Sequence, residues 1–241
     1  MFSNFCFLFF IMKKDLKEFE KIIGYTFKNQ DHLKEATVHR SYLNEHPGFG
    51  INHNERLEFL GDAVLELVVT ENLFFRFNNP EGEMTNWRAS LVNSKMLSKV
   101  AEKINLEDYI LLSKGEQKDT GKARQFILAN AVEAVIGAIY VDNGWEPSKK
   151  FIETFMIVEL EEILEKKLYV DPKSNFQELS QEKAGITPSY KVLSEVGPDH
   201  EKIFEVGVYL KSELIAKGKG TSKQEAQEDA AKNGLEAKGW S

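Results

Sequence analysis

Residues 54–69, NERLEFLGDAVLELVV, set four carboxylates, Glu55, Glu58, Asp62 and Glu66, into a largely apolar run. Glu58 and Asp62 are four apart and Glu55 precedes Glu58 by three, so on a helix all three fall toward one side. Leu57, Phe59, Leu60, Ala63, Val64, Leu67 and Val68 fill the other positions, which predicts a helix packed on most sides, with its acids facing an interior or a cleft. A buried carboxylate is costly unless it is paired, protonated or bound to a metal, so a second polar element must stand opposite. Residues 127–141, ILANAVEAVIGAIYV, supply one: Asn130 and Glu133, three apart, are the strongly polar side chains in the body of that run. Gly61 and Gly137 fit two helices that cross closely, since a helical glycine is tolerated where another backbone must approach. An oxygen-only set of this kind suits hard Mg²⁺, and phosphodiester hydrolysis is a reaction such metals promote. The spacing alone fits a structural acidic network equally well.

The elements that would hold these residues are helical from about 15 to 169. Residues 31–43, DHLKEATVHRSYL, predict a helix with Asp31 as N-cap, and His39 and Arg40 are expected in a capped, packed structural role. Trp87 and the phenylalanines at 74–77 are expected in the core or a dimer contact. The pattern changes at YVDPKS, residues 169–174, where an Asp-Pro step breaks the chain. Beyond it SNFQELSQEKA reads as a short helix, SYKVLSEV, IFEVGVYL and ELIAKGKG as strands, and SKQEAQEDAAKNGLEA as a long terminal helix. The expected fold is an all-α domain over 12–170 followed by a small α+β domain of α-β-β-β-α order over 171–241.

Hydrophobic residues at 42% and charged residues at 29% fit a globular chain rather than a disordered or fibrous one. The single cysteine, Cys6, excludes an internal disulfide and fits a reducing, cytoplasmic setting. The apolar opening MFSNFCFLFFIM is too short to span a membrane, and Lys13 and Lys14 follow it, whereas a secretory signal carries its charge first. Met12 is the expected start, with 1–11 a non-native or disordered extension, and no membrane partner is expected. The net charge of −7 counts against nucleic acid unless cations cluster locally, because residues 1–170 carry 21 basic and 26 acidic side chains and residues 171–241 carry 10 and 12.

NERLEFLGDAVLELV resembles the signature of the ribonuclease III family of bacterial double-strand-specific endonucleases. HRSYLNEH at 39–46, EGEMTNWRASLVNS at 81–94, LSKGE at 112–116 and ILANAVEAVIGAIYVD at 127–142 follow in that family's order. The resemblance runs from about Met12 to the C-terminus. It implies a homodimer that cuts double-stranded RNA with Mg²⁺, or Mn²⁺ in its place, leaving 5′-phosphate and 3′-hydroxyl ends, in processing of ribosomal and messenger precursors and with no small-molecule substrate. It assigns the metal to Glu58, Asp62, Asn130 and Glu133, catalysis to Asp62 and Glu133, and supporting places to Glu55 and Glu81. The family normally has Asp where this chain has Asn130, which removes one anionic oxygen and is expected to lower metal affinity. A catalytically impaired RNA-binding regulator is the alternative. Ser is usual at Phe126, a change with no functional account.

The C-terminal pattern is similar to a double-stranded RNA-binding domain. That likeness assigns Gln177 and Glu178 to a minor groove, His200 in the turn GPDH to a neighbouring groove, and Lys217, Lys219 and Lys223 to phosphate beside a helix N-terminus. Gln224 stands where a second basic residue is usual. Ala226, Ala230 and Ala231 are expected to pack on the sheet.

Overall fold

The computed structural model describes residues 14–198 and 202–240. Met12, the extension 1–11, Cys6 and His200 lie outside the described residues. Two compact units form, one ending at Lys166 and one beginning at Lys167.

The first unit is helical: α1 (Leu16–Ile23), α2 (Gln30–Ala36), α3 (Arg40–Glu45), α4 (Glu55–Arg76), α5 (Glu81–Val92), α6 (Ser94–Lys103), α7 (Lys122–Asn143), α8 (Trp145–Phe155) and α9 (Leu160–Glu165). Short polar caps set several starts. Asp15 accepts from Lys17 N at 3.0 Å, and His39 caps α3 by accepting from Ser41 N. The cap of α2 is Asn29, which accepts from Asp31 N, and not Asp31 as the sequence predicts. Asp31 falls instead in the first turn, where it pairs with Lys34 at 2.8 Å. Both side chains suit an N-cap, and the extended backbone at Asn29 decides between them.

Helices α4 and α7 form the centre of the unit. Gly61 and Gly137 face each other at their crossing: a Cβ built on Gly61 would overlap the backbone carbonyl of Glu133 and lie 2.9 Å from Gly137 N. One built on Gly137 would overlap the Leu57 carbonyl and lie 3.2 Å from Gly61 N. Around them α2, α6 and α8 close on α7, burying Ala131, Val132, Val135, Ile136 and Ile139 completely. Helix α7 is long and apolar enough to cross a membrane by length and composition, but 56% of that window is buried inside the protein, so packing accounts for its apolarity.

Helix α4 departs from the expectation of burial on most sides. Leu57, Gly61, Val64, Leu65, Val68 and Val69 are buried, whereas Phe59 is 82% exposed, Leu67 58% and Phe74 66%, with Ala63 exposed between them. The packing helices cover one side of α4 only. Trp87 is buried, its ring centroid 5.0 Å from that of Phe77 in an edge contact, so it is core, while Phe74 and Phe75 are not.

The second unit runs α10 (Pro172–Ala184), β1 (Ser189–Val196), β2 (Ile203–Leu210), β3 (Glu213–Gly220) and α11 (Lys223–Lys238). The strands pair antiparallel in the order β1-β2-β3, with Val192 opposite Val206 and Val206 opposite Gly218. Val206, Val208 and Leu210 alternate inward and meet Phe176 of α10 and Ala226, Ala230, Ala231 and Leu235 of α11, so the three alanines pack on the sheet as expected. Gly218 permits the close approach, since a Cβ there would lie 2.6 Å from Ala226 O.

Candidate functional site

In the first unit the acids gather where α4 crosses α7. The glycine contact sets Gly61 against the Glu133 carbonyl and Gly137 against the Leu57 carbonyl, so Glu58 and Asp62 of α4 and Asn130 and Glu133 of α7 flank one crossing. Glu58 is half-buried and Asp62 exposed on α4, while Asn130 and Glu133 are half-buried on α7. Burial, then the Asp62 and Glu58 charges, push the Glu133 carboxyl up to about 7. Burial also raises Glu58, with Glu55 and Asp62 adding to the rise, while a hydrogen bond from the Asn130 side chain offsets part of it. Among the described residues no cation acts on the Glu133 carboxyl.

This donor set suits a hard divalent cation: every ligand atom on offer is oxygen, and the carboxylates repel one another. The side chains do not close on a point, for among the described residues no three His, Cys, Asp or Glu stand close enough together to hold an ion.

Of the two supporting acids, Glu55 acts on Glu58 and Glu81 lies farther off. Glu55 opens α4 and pairs at the surface with Arg40 at 3.3 Å and His53 at 3.7 Å. Glu81 starts α5 and lines a groove of about 310 Å³ with Thr70, Leu73, Phe74, Met84, Thr85 and Arg88, farther along α4 than the acid pair. Phe126 is exposed on α7 one turn before Asn130. Sequence reading missed Arg124, which donates to Glu116 O at 2.9 Å and pairs with Glu107 at 3.5 Å, fixing the loop that leads into α7. Its isolated position in a polar stretch carried no signal.

In the second unit Gln177 and Glu178 are exposed on α10, Lys217 and Lys219 on β3, and Lys223 at the start of α11. Lys217 and Lys219 alternate with the inward Gly218, and both face Glu205 of β2, at 3.8 and 3.9 Å. Lys223 stands 3.3 Å from Glu195 of β1. At the N-terminus of α11 Ser222 accepts from Glu225 N, and Glu225 reaches back to accept from Thr221 N at 2.9 Å, which places a carboxylate beside the helix end.

Comparison with known proteins bears on both units. The family model described as Ribonuclease-III-like matches residues 29–160, and the double-stranded RNA binding motif matches 172–238. The chain is 47% identical over 225 residues to the Ribonuclease 3 of Carboxydothermus hydrogenoformans, covering 93% of this chain and 96% of that one. It is 45% identical over 223 residues to the Ribonuclease 3 of Nitratiruptor sp., covering 92% and 96%. A solved nuclease domain of ribonuclease III from Campylobacter jejuni, described for flexibility in its dimer-forming region, aligns at 42% identity and a TM-score of 0.53, covering 58% of this chain and 95% of that one. Such identity spans nearly the full length of both chains compared, and the acid-bearing helices and the α-β-β-β-α unit lie within it: the chain belongs to the ribonuclease III family.

Proposed function

We propose that this protein is a divalent-metal-dependent endoribonuclease that cleaves double-stranded RNA. The observation that carries the reading is Glu133, raised to about 7 by burial and by Asp62 and Glu58 with no opposing cation among the described residues, in a chain that also carries a double-stranded RNA binding motif. Glu58, Asp62, Asn130 and Glu133 would hold Mg²⁺, with Mn²⁺ able to replace it. Bound there, the cation supplies Lewis acidity that activates water and stabilises charge on the scissile phosphate. Asn130 steadies Glu58 through its amide, exposed Asp62 faces the substrate side, and Glu133 gives up its proton readily near neutral pH. Water adds to phosphorus and the bond to O3′ breaks, leaving 5′-phosphate and 3′-hydroxyl ends. Ribosomal and messenger precursors in the cytoplasm are the proposed substrates.

The test is incubation of the full chain with a long perfect RNA duplex, with and without Mg²⁺, beside Asn130→Asp. Cleavage that requires Mg²⁺ is expected, and Asn130→Asp should lower the Mg²⁺ concentration for half-maximal rate several-fold, because a fourth carboxylate adds charge to the donor set. Binding without any cleavage, restored by Asn130→Asp, would mark the enzyme reading as wrong. The chain keeps all three acids, Glu58, Asp62 and Glu133, which supports the enzyme reading over such a silent protein.

A second copy of this chain is the proposed cover for the exposed face of α4. Phe59, Ala63, Leu67 and Phe74 share one side at helical spacing, exposed apolar groups of the kind that mark an interface. Replacing Phe59 with Asp should turn a dimer into a monomer in sedimentation velocity while leaving the unfolding midpoint of the monomer nearly unchanged, because the ring contributes little to its own core. A wild-type chain that sediments as a monomer at micromolar concentration would dismiss the dimer.

A further inference from the structure

We propose that Lys173 binds RNA phosphate, joining the groove-facing side of α10 to the first turns of α11. The proposal rests on the double-stranded RNA reading above. Lys173 follows Pro172 in the first turn of α10, where a cation works against the helix dipole, so helix stability does not account for it. Its Nζ donates to Gln227 Oε1 at 2.7 Å and stands 5.4 Å from the centroid of the Tyr190 ring. An α11 amide and a β1 ring therefore hold a side chain that starts on α10.

The geometry places that ammonium between the two helices assigned to RNA. Gln177, exposed on α10, lies one turn after Lys173 on the same face, and Gln227 lies one turn after Lys223 on α11. Lys173 thus adds a second cation to the Lys223 face of α11, at a position whose own side chain is neutral. Charge separates it from the other lysines. Lys217 and Lys219 share Glu205 and Lys223 has Glu195, whereas among the described residues Lys173 has no carboxylate within ion-pair distance. Of its three donors one serves Gln227, which leaves N–H groups for an anion. A polyanion that lies across both helices, an RNA strand, fits that arrangement.

Fluorescence anisotropy of the full chain with a labelled perfect RNA duplex, in EDTA so that the duplex stays intact and over a series of NaCl concentrations, tests the assignment. Each phosphate contact contributes roughly 0.7–0.9 to the slope of log K against log salt. Lys173→Gln is expected to weaken binding about 3- to 10-fold at moderate salt and to reduce the slope by about that amount. Lys173→Arg should restore the slope, and Lys238→Gln, whose parent lysine pairs with Glu213 at 3.6 Å near the far end of α11, should leave it unchanged. A Lys173→Gln slope equal to that of the wild type overturns the assignment, whatever happens to affinity. If Lys223→Gln flattens the slope and Lys173→Gln does not, the RNA reading stands and Lys173 alone falls. If the wild type shows no salt-dependent binding, both fall together.

Discussion

Glu133→Gln is expected to lower the rate of RNA duplex cleavage by about 1,000-fold or more while leaving duplex binding within about twofold. The variant keeps the shape of the side chain and removes a charge of the proposed cation site. The same substitution should stabilise the protein in EDTA, and the sign follows from proton linkage. The folded carboxyl at about 7 lies above its ordinary value of 4.5, so between those pH values the folded chain holds a proton that the unfolded chain has released. Stability therefore falls as pH rises through this window, and the penalty is complete above it. At about 1.36 kcal/mol per pH unit the ceiling is about 3 kcal/mol, which partial exposure reduces to about 1–2 kcal/mol. Urea unfolding at pH 8 should show Glu133→Gln more stable than the parent by that amount, with the difference vanishing near pH 4. Equal loss of cleavage and RNA binding in a folded variant, or no gain in stability at pH 8, would contradict the role assigned to this side chain.

Gly61→Ala is expected to cost about 3 kcal/mol or more, because the new Cβ meets a neighbouring backbone carbonyl that cannot rotate away. For a chain of this size that corresponds to a fall in Tm of roughly 6–12 °C. The loss should extend to catalysis: relieving the overlap forces α4 and α7 apart and separates Glu58 and Asp62 from Glu133. Gly82 is the control. It sits in α5 with nothing within 4 Å of an added Cβ, so Gly82→Ala should be neutral or stabilising by up to about 1 kcal/mol. Comparable losses in the two variants would mean that glycine at 61 serves no close crossing.

The pairing of α4 with α7 was legible before any coordinates, because acids in an apolar helix need a polar counterpart and a helical glycine needs a reason. The three strands and two helices of the second unit were equally plain, since alternation with period two gives way to helical spacing at clear breaks. Local chemistry of this kind is written along the chain. Which apolar side of α4 meets a neighbour is not: Phe59 and Leu67 obey the same helical period as Leu57 and Val64, and only the placement of the packing helices leaves the first pair in solvent. Asn29 and Asp31 are both competent caps, and backbone conformation chose Asn29.

The second unit divides in the same way. Its lysines were visible as a cluster, but Glu205 and Glu195 come from other strands, so the partial neutralisation of Lys217, Lys219 and Lys223 appears only when the sheet assembles. Lys173 and Gln227 are 54 residues apart, and no periodicity links them. The sequence by itself determined the elements of the second unit, the helix crossing and the acids beside it, because these follow from spacing and from the cost of burying charge, but not the break at 37–39 that splits the helix expected over 31–43 into α2 and α3. The tertiary structure decided which faces stay open and which cations remain unpaired, because those depend on partners that the chain delivers from far away.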